Sequence, residues 1–184
     1  MSTFDHHYAI EGLEQIASMD NVKVIFLTRN SLDRYISNIR HEGFQHTNQV
    51  PAHCSVEDLE CIKRHKKHSQ GITLKCDEKL LLRLRHNLQL DEVVADRLST
   101  LGVKHLRVAY EQLYHSTDES DIAEGWLRIN RFLGVGPQND LTIAEVKDHF
   151  AYASTSSPNH REIIANFYQV EKFLKDSDLG YLLH

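Results

Sequence analysis

The sequence predicts an α/β chain, a small parallel sheet flanked by helices, and three observations support this. Val22 to Leu27 is a run of branched and aromatic apolar residues interrupted only by Lys23, the pattern of a strand buried on both faces as in a parallel sheet. Leu106 to Tyr110 (LRVAY) is a second short strand. Most of the remaining chain has apolar residues at helical spacing, bounded by helix start and stop signals.

Taken in order, Ala9 to Met19 is amphipathic through Ile10, Leu13 and Ile16. After the first strand comes Arg29, then Asn30 and Ser31 as candidate N-caps, then a helix from near Leu32 with Asp33 in its first turn. Leu32, Ile36 and Ile39 form a stripe for packing, and Ser37 falls on a different face. Gly43 to Ala52 reads as a loop. Ser55 with Asp58 approximates a capping box for a helix ending near Gly71. Asp77 to Leu101 is a Leu-rich helical region with a possible break between Asn87 and Asp91 and with Gly102 as its stop. Sustained heptads are absent, so Leu80, Leu81, Leu84 and Leu88 are core positions, not a zipper. Beyond the second strand, a helix from Asp121 to Leu133 turns Ile122, Trp126, Ile129 and Leu133 inward and stops at Gly134. The last helix, HREIIANFYQVEKFL, has Ile163, Ile164, Phe167, Val170 and Leu174 on its apolar side.

Composition narrows the class. With 184 residues, 41% hydrophobic and 26% charged, the chain has the make-up of one globular domain with a single core. No apolar run approaches the roughly 20 residues that span a bilayer, and no signal-peptide pattern is visible. A net charge of −5 disfavours non-specific nucleic-acid binding. Cys54, Cys61 and Cys76 fit either reduced thiols or a single disulfide.

The chemistry concentrates just after the first strand. An Arg at a strand end and a Ser on the following helix converge where parallel α/β sheets bind ligands. A guanidinium fork plus a hydroxyl is a sensible donor pair for one phosphate. The segment VKVIFLTRNSLDRYIS resembles the 3′-phosphate-binding motif of sulfotransferases that use 3′-phosphoadenosine 5′-phosphosulfate (PAPS). Arg29, Asn30, Asp33 and Ser37 match it residue for residue, and Ser31 stands where the family usually has Pro. Tyr110-Glu111-Gln112-Leu113, the helix ending in FLGV, and the C-terminal helix look like the family's downstream half, in the same order.

The resemblance implies a single sulfotransferase-like domain over residues 1–184, the carboxyl two-thirds of the family fold, itself a partial P-loop-type α/β sandwich. It implies sulfuryl transfer from PAPS, without a metal, to a hydroxyl acceptor, most simply on a carbohydrate. Arg29 and Ser37 would hold the 3′-phosphate and Tyr110 would lie near the adenine. Counting back from Arg29 by the family's spacing lands on His7, which would close a strand and act as the general base, since an imidazole titrates near neutrality. The family's Pro-Lys-Ser-Gly-Thr-Thr loop for the 5′-phosphosulfate has no counterpart among the eight Gly of this sequence. The chain is therefore either an amino-truncated sulfotransferase or a short relative without half the nucleotide site, which leaves open a non-catalytic nucleotide- or partner-binding module.

Cys54, Cys61, His65 and His68 give C-x6-C-x3-H-x2-H, which departs from structural zinc spacing at both pairs. The run KRHKKH within it is a solvated charged face or an attractor for an acidic acceptor such as a sulfated or uronic-acid glycan.

Overall fold

The computed structural model describes residues 4–45, 54, 57–69, 71–116, 118–135 and 159–183. It is a mixed α/β chain with several helices and one two-stranded parallel sheet. In order the elements are α1 (Phe4–Ala17), β1 (Lys23–Thr28), α2 (Ser31–Gln45), α3 (Leu59–Ser69), α4 (Glu78–Thr100), β2 (Lys104–Ala109), α5 (Tyr110–Tyr114), α6 (Glu119–Leu133), α7 (His160–Ile163), α8 (Phe167–Lys175) and a 3-10 turn at Gly180–Leu183. The contacts divide the chain into two compact units, Met1–Arg29 with His86–Ile143, and Asn30–Arg85 with Ala144–His184.

In the first unit β1 and β2 pair in parallel, from Lys23 opposite Lys104 to Thr28 opposite Ala109. Like charges directly opposite each other destabilise a sheet. The Lys23 ammonium instead donates to the carbonyls of Phe132 (2.7 Å) and Leu133 (3.1 Å), the last of α6. A cation there satisfies orphan carbonyls and meets the negative end of the helix dipole. The residue that interrupts the strand pattern is thus a helix cap.

β1 is not buried on both faces as its composition suggested. Exposure alternates along it, with Ile25 37% and Leu27 43% exposed. Among the described residues, alternate positions of β1 meet solvent, the pattern of a strand covered on one face. The core of this unit is Val108, Leu113 and Ile129, with Leu106 and Trp126 packed on it. Gly125 in α6 is buried there because a Cβ would sit 2.7 Å from Leu113 Cδ2 of α5. α6 starts two residues before the expected Asp121, capped by Asp118, whose carboxylate accepts from the Ser120 backbone N–H (2.8 Å) and hydroxyl (2.7 Å). It ends at Gly134, whose φ of 74° is the left-handed conformation that favours glycine. Leu133, expected inward, is exposed.

In the second unit, Asn30 caps α2: its Oδ1 accepts from the Leu32 backbone N–H at 2.9 Å. Ser31 is not a cap. Its hydroxyl, 1% exposed, donates to the Leu84 carbonyl of α4 at 2.8 Å. Leu32 and Ile36 of the expected stripe are buried, as are Leu80 and Leu84. α2 runs through Gln45, so the expected loop begins later than Gly43, and 46–52 lie outside the described residues. Asp58 caps α3, accepting from the Cys61 backbone N–H at 2.9 Å, while Ser55 lies outside the described residues. Cys54 and Cys61 form a buried disulfide, and Cys76 is free.

Two helices differ from expectation in their continuity. α4 is continuous through Asn87 and Asp91, whose side chains are both buried. The C-terminal helix, conversely, is broken. Ile164 leaves the helix to bridge Ile72 in parallel, with Ile72 N–H donating to Ile163 O (2.9 Å) and Ala165 N–H to Ile72 O (2.8 Å). Asn166 extends the tie through its amide, which accepts from Leu74 N–H (3.0 Å) and donates to Leu74 O (2.8 Å). Ile163, Ile164, Phe167, Val170 and Leu174 are all buried nevertheless.

Candidate functional site

The carboxyl ends of the two strands place Arg29 and Tyr110 next to each other. Arg29 is the first residue after β1, and Tyr110 the first after β2, where α5 begins without a loop. Parallel pairing of Thr28 with Ala109 fixes their separation. The Thr28 hydroxyl strengthens that end by donating to the Val108 carbonyl at 3.3 Å. The Arg29 guanidinium lies 4.6 Å from the centre of the Tyr110 ring, a cation–π stack that orients a planar fork while leaving its charge intact.

Other rings fix Tyr110 in turn. Tyr114, one helical turn on, is 4.6 Å from it between centroids, and His115 meets it edge-on at 5.2 Å. Tyr114 packs edge-on against Trp126 of α6 at 6.3 Å. Burial, together with neighbouring Tyr110, pushes the Tyr114 phenol above its ordinary pKa, so it remains a neutral hydroxyl at physiological pH. Sequence reading picked out Arg29 and Tyr110 but not Tyr114 or His115. The signal available was the i, i+4 spacing of Tyr110 and Tyr114 within five helical residues.

Among the described residues, Arg29 makes no ion pair, and its Nε is buried without a hydrogen-bond partner. Elsewhere arginines are paired, Arg85 with Asp178 (2.5 Å) and Arg107 with Glu92 (2.8 Å). A guanidinium held on a ring and not claimed by a carboxylate can still bind an anion in its own plane.

The other two expected site residues, Ser37 and His7, lie on helices. Ser37 is in α2, in the second unit, and partly buried. His7 lies in α1, a helix that begins at Phe4, and not at the end of a strand. The strand expectation for Phe4-Asp5-His6-His7-Tyr8 fails because the segment has no β-branched residue and leads straight into the Ile10, Leu13, Ile16 stripe. No group of His, Cys, Asp and Glu among the described residues could hold a metal, and the sulfurs of Cys54 and Cys61 are bonded to each other. No helix among them is long and apolar enough to cross a membrane. A cleft of about 260 Å³ opens beside Lys23 and Lys104, at the amino ends of the strands and so away from Arg29 and Tyr110.

No protein-family model, curated protein or solved structure matches the chain.

Proposed function

We propose that this is a sulfotransferase-type protein that binds the 3′-phosphoadenosine end of PAPS at Arg29 and Tyr110 and serves sulfuryl transfer to a hydroxyl acceptor, on a carbohydrate. The observation that supports the reading is the Arg29–Tyr110 stack at the carboxyl ends of a parallel strand pair. That is the edge at which such sheets take nucleotides. The guanidinium supplies a bidentate phosphate donor, and the aromatic cluster behind it supplies a flat apolar surface suited to an adenine. Ser37 enters through its position eight residues after Arg29 in the sequence motif, and His7 through spacing alone.

A second reading, a non-catalytic relative that binds a nucleotide or a partner, is favoured by one observation. Both strand-to-helix junctions among the described residues, Arg29-Asn30 and Ala109-Tyr110, lack glycine. Neither has the glycine-rich turn that lets the backbone close around a phosphate chain.

Calorimetry with adenosine 3′,5′-bisphosphate tests the first reading, with adenosine 5′-phosphate as the comparison. Tighter binding of the bisphosphate supports a 3′-phosphate site. Equal affinity for both, or none for either, would remove it.

A further inference from the structure

We infer that the cleft at the amino ends of β1 and β2 binds a small organic acid, a carboxylate on a short apolar body. The cleft lies wholly within the first unit and does not depend on the nucleotide reading. Two like turns build it. After α1 and again after α4 the chain passes through a left-handed residue, Asn21 (φ 60°) and Gly102 (φ 67°), and enters its strand as Val-Lys. The parallel register sets Lys23 beside Lys104 on strands about 4.8 Å apart. Ile16, Ala17, Met19, Val22, Leu101 and Val103 supply an apolar wall.

The lining selects the charge of the ligand. Lys23 and Lys104 line the cleft and no Asp or Glu does, Asp20 being exposed outside it. The Lys23 ammonium is engaged by the Phe132 and Leu133 carbonyls. Lys104 is exposed and makes no hydrogen bond or ion pair with a described residue through its side chain. α1 and α4 both end beside the cleft, where bare carbonyls would favour a cation. Three of the last four carbonyls of each helix are already taken. Those of Glu14, Gln15 and Ile16 accept from the N–H groups of Ser18 and Met19, and those of Arg97, Leu98 and Ser99 from Leu101, Val103 and Gly102.

One free ammonium then matches one negative charge. A phosphate monoester carries about −1.5 to −2 and would find no second free cation among the lining residues. The volume limits the apolar body. At about 30 Å³ for each water-sized group, a cleft of about 260 Å³ takes about eight or nine non-hydrogen atoms.

Hexanoate fits that size and is the probe, with hexanol, hexylamine and hexyl phosphate as comparisons, each titrated into the isotope-labelled chain. The amide resonances of Val22, Gly102 and Val103 should move with hexanoate at about millimolar affinity. The three comparisons should bind about fivefold more weakly or worse. Lys104→Met should weaken hexanoate about threefold to tenfold and leave hexanol unchanged, and Lys104→Arg should retain hexanoate binding. Ala17→Phe fills the cleft and should remove the response to hexanoate and hexanol alike. Urea midpoints establish that the variants are folded, and the exposed Lys104 can be replaced even if Ala17→Phe does not fold. The inference is overturned if hexanoate leaves the three resonances in place, if any comparison binds as tightly, or if Lys104→Met binds hexanoate as wild type does.

Discussion

His160 donates its Nε2 proton to Asp33 Oδ1 across 2.7 Å, joining the first turn of α2 to the start of α7, 127 residues apart. The side chains are only 6% and 11% exposed. A carboxylate can only accept, so the bond fixes the proton on Nε2. The pair replaces water for two groups that are costly to bury alone, and it does so within one compact unit.

Asp33→Ala should therefore lower stability by about 1–3 kcal/mol, because it leaves the imidazole N–H buried without its acceptor. The double variant with His160→Ala should cost less than the sum of the two single changes. Urea midpoints of the four proteins test this, and strict additivity would mean that the two side chains act independently.

Lys23→Met should lower stability by about 0.3–1 kcal/mol, with the apolar stem retained and only the cap on the Phe132 and Leu133 carbonyls lost. The difference from wild type should shrink in high salt, which screens an exposed cation at a helix end. A salt-independent difference would point to packing of the stem and not to the ammonium.

The Asp118 carboxyl is held below its ordinary pKa by the hydrogen bonds from the Ser120 hydroxyl and backbone N–H. A folded value lower than the unfolded one, about 3.9, stabilises the folded chain above that pH. The contribution is lost as pH falls through the lower folded value. Acid unfolding of Asp118→Asn should accordingly be less steep in the window below about pH 4. Identical acid limbs for the two proteins would contradict the cap.

Reduction of Cys54–Cys61, or Cys54→Ser/Cys61→Ser, should destabilise the chain by about 2–3 kcal/mol, the loop-closure entropy of so short a loop. In the unreduced, denatured chain secreted into oxidising medium, one thiol should react with maleimide, that of Cys76. In the native chain it should react slowly, since burial and then the charge of Asp77 raise its pKa. Three reactive thiols without reductant would show that the disulfide does not form.

Local signals were legible in the sequence. Both strands, the Asn30 cap, the Gly134 stop and the buried Leu of α4 follow from patterns that act within a few residues. What was not legible arises from partners distant in the chain. Ile164 leaves its helix because Ile72 offers a backbone partner 92 positions away. Ser31 looks like a cap, yet its hydroxyl goes to Leu84. His160 lies in a region already marked, but only the fold brings Asp33 to it. For the same reason Arg29 and Tyr110 could be named singly as strand-end residues, while their stacking required the β1–β2 register. Whether the three Cys stay reduced or form a disulfide, and which two would pair, was open in the sequence until the fold brought the sulfurs of Cys54 and Cys61 together.

Arg29 should be the largest single contributor to binding of adenosine 3′,5′-bisphosphate. Its charge is held over the Tyr110 ring and meets no carboxylate among the described residues, so a phosphate would be its partner. Arg29→Ala should cost about 1.5–3 kcal/mol, the worth of a charge-assisted hydrogen bond, or roughly ten- to more than hundredfold in Kd. Arg29→Lys keeps the charge but not the planar fork and should recover only part of that loss. Tyr110→Leu retains apolar bulk while removing the π-face that orients the guanidinium, and should weaken binding by about fivefold to thirtyfold through a lost cation–π contact of about 1–2 kcal/mol. If the Arg29→Ala and Tyr110→Leu losses simply add, the ring contacts the ligand independently of Arg29. A double loss smaller than their sum would show that Tyr110 acts by holding the guanidinium. Unchanged affinity in Arg29→Ala would remove Arg29 from the site altogether.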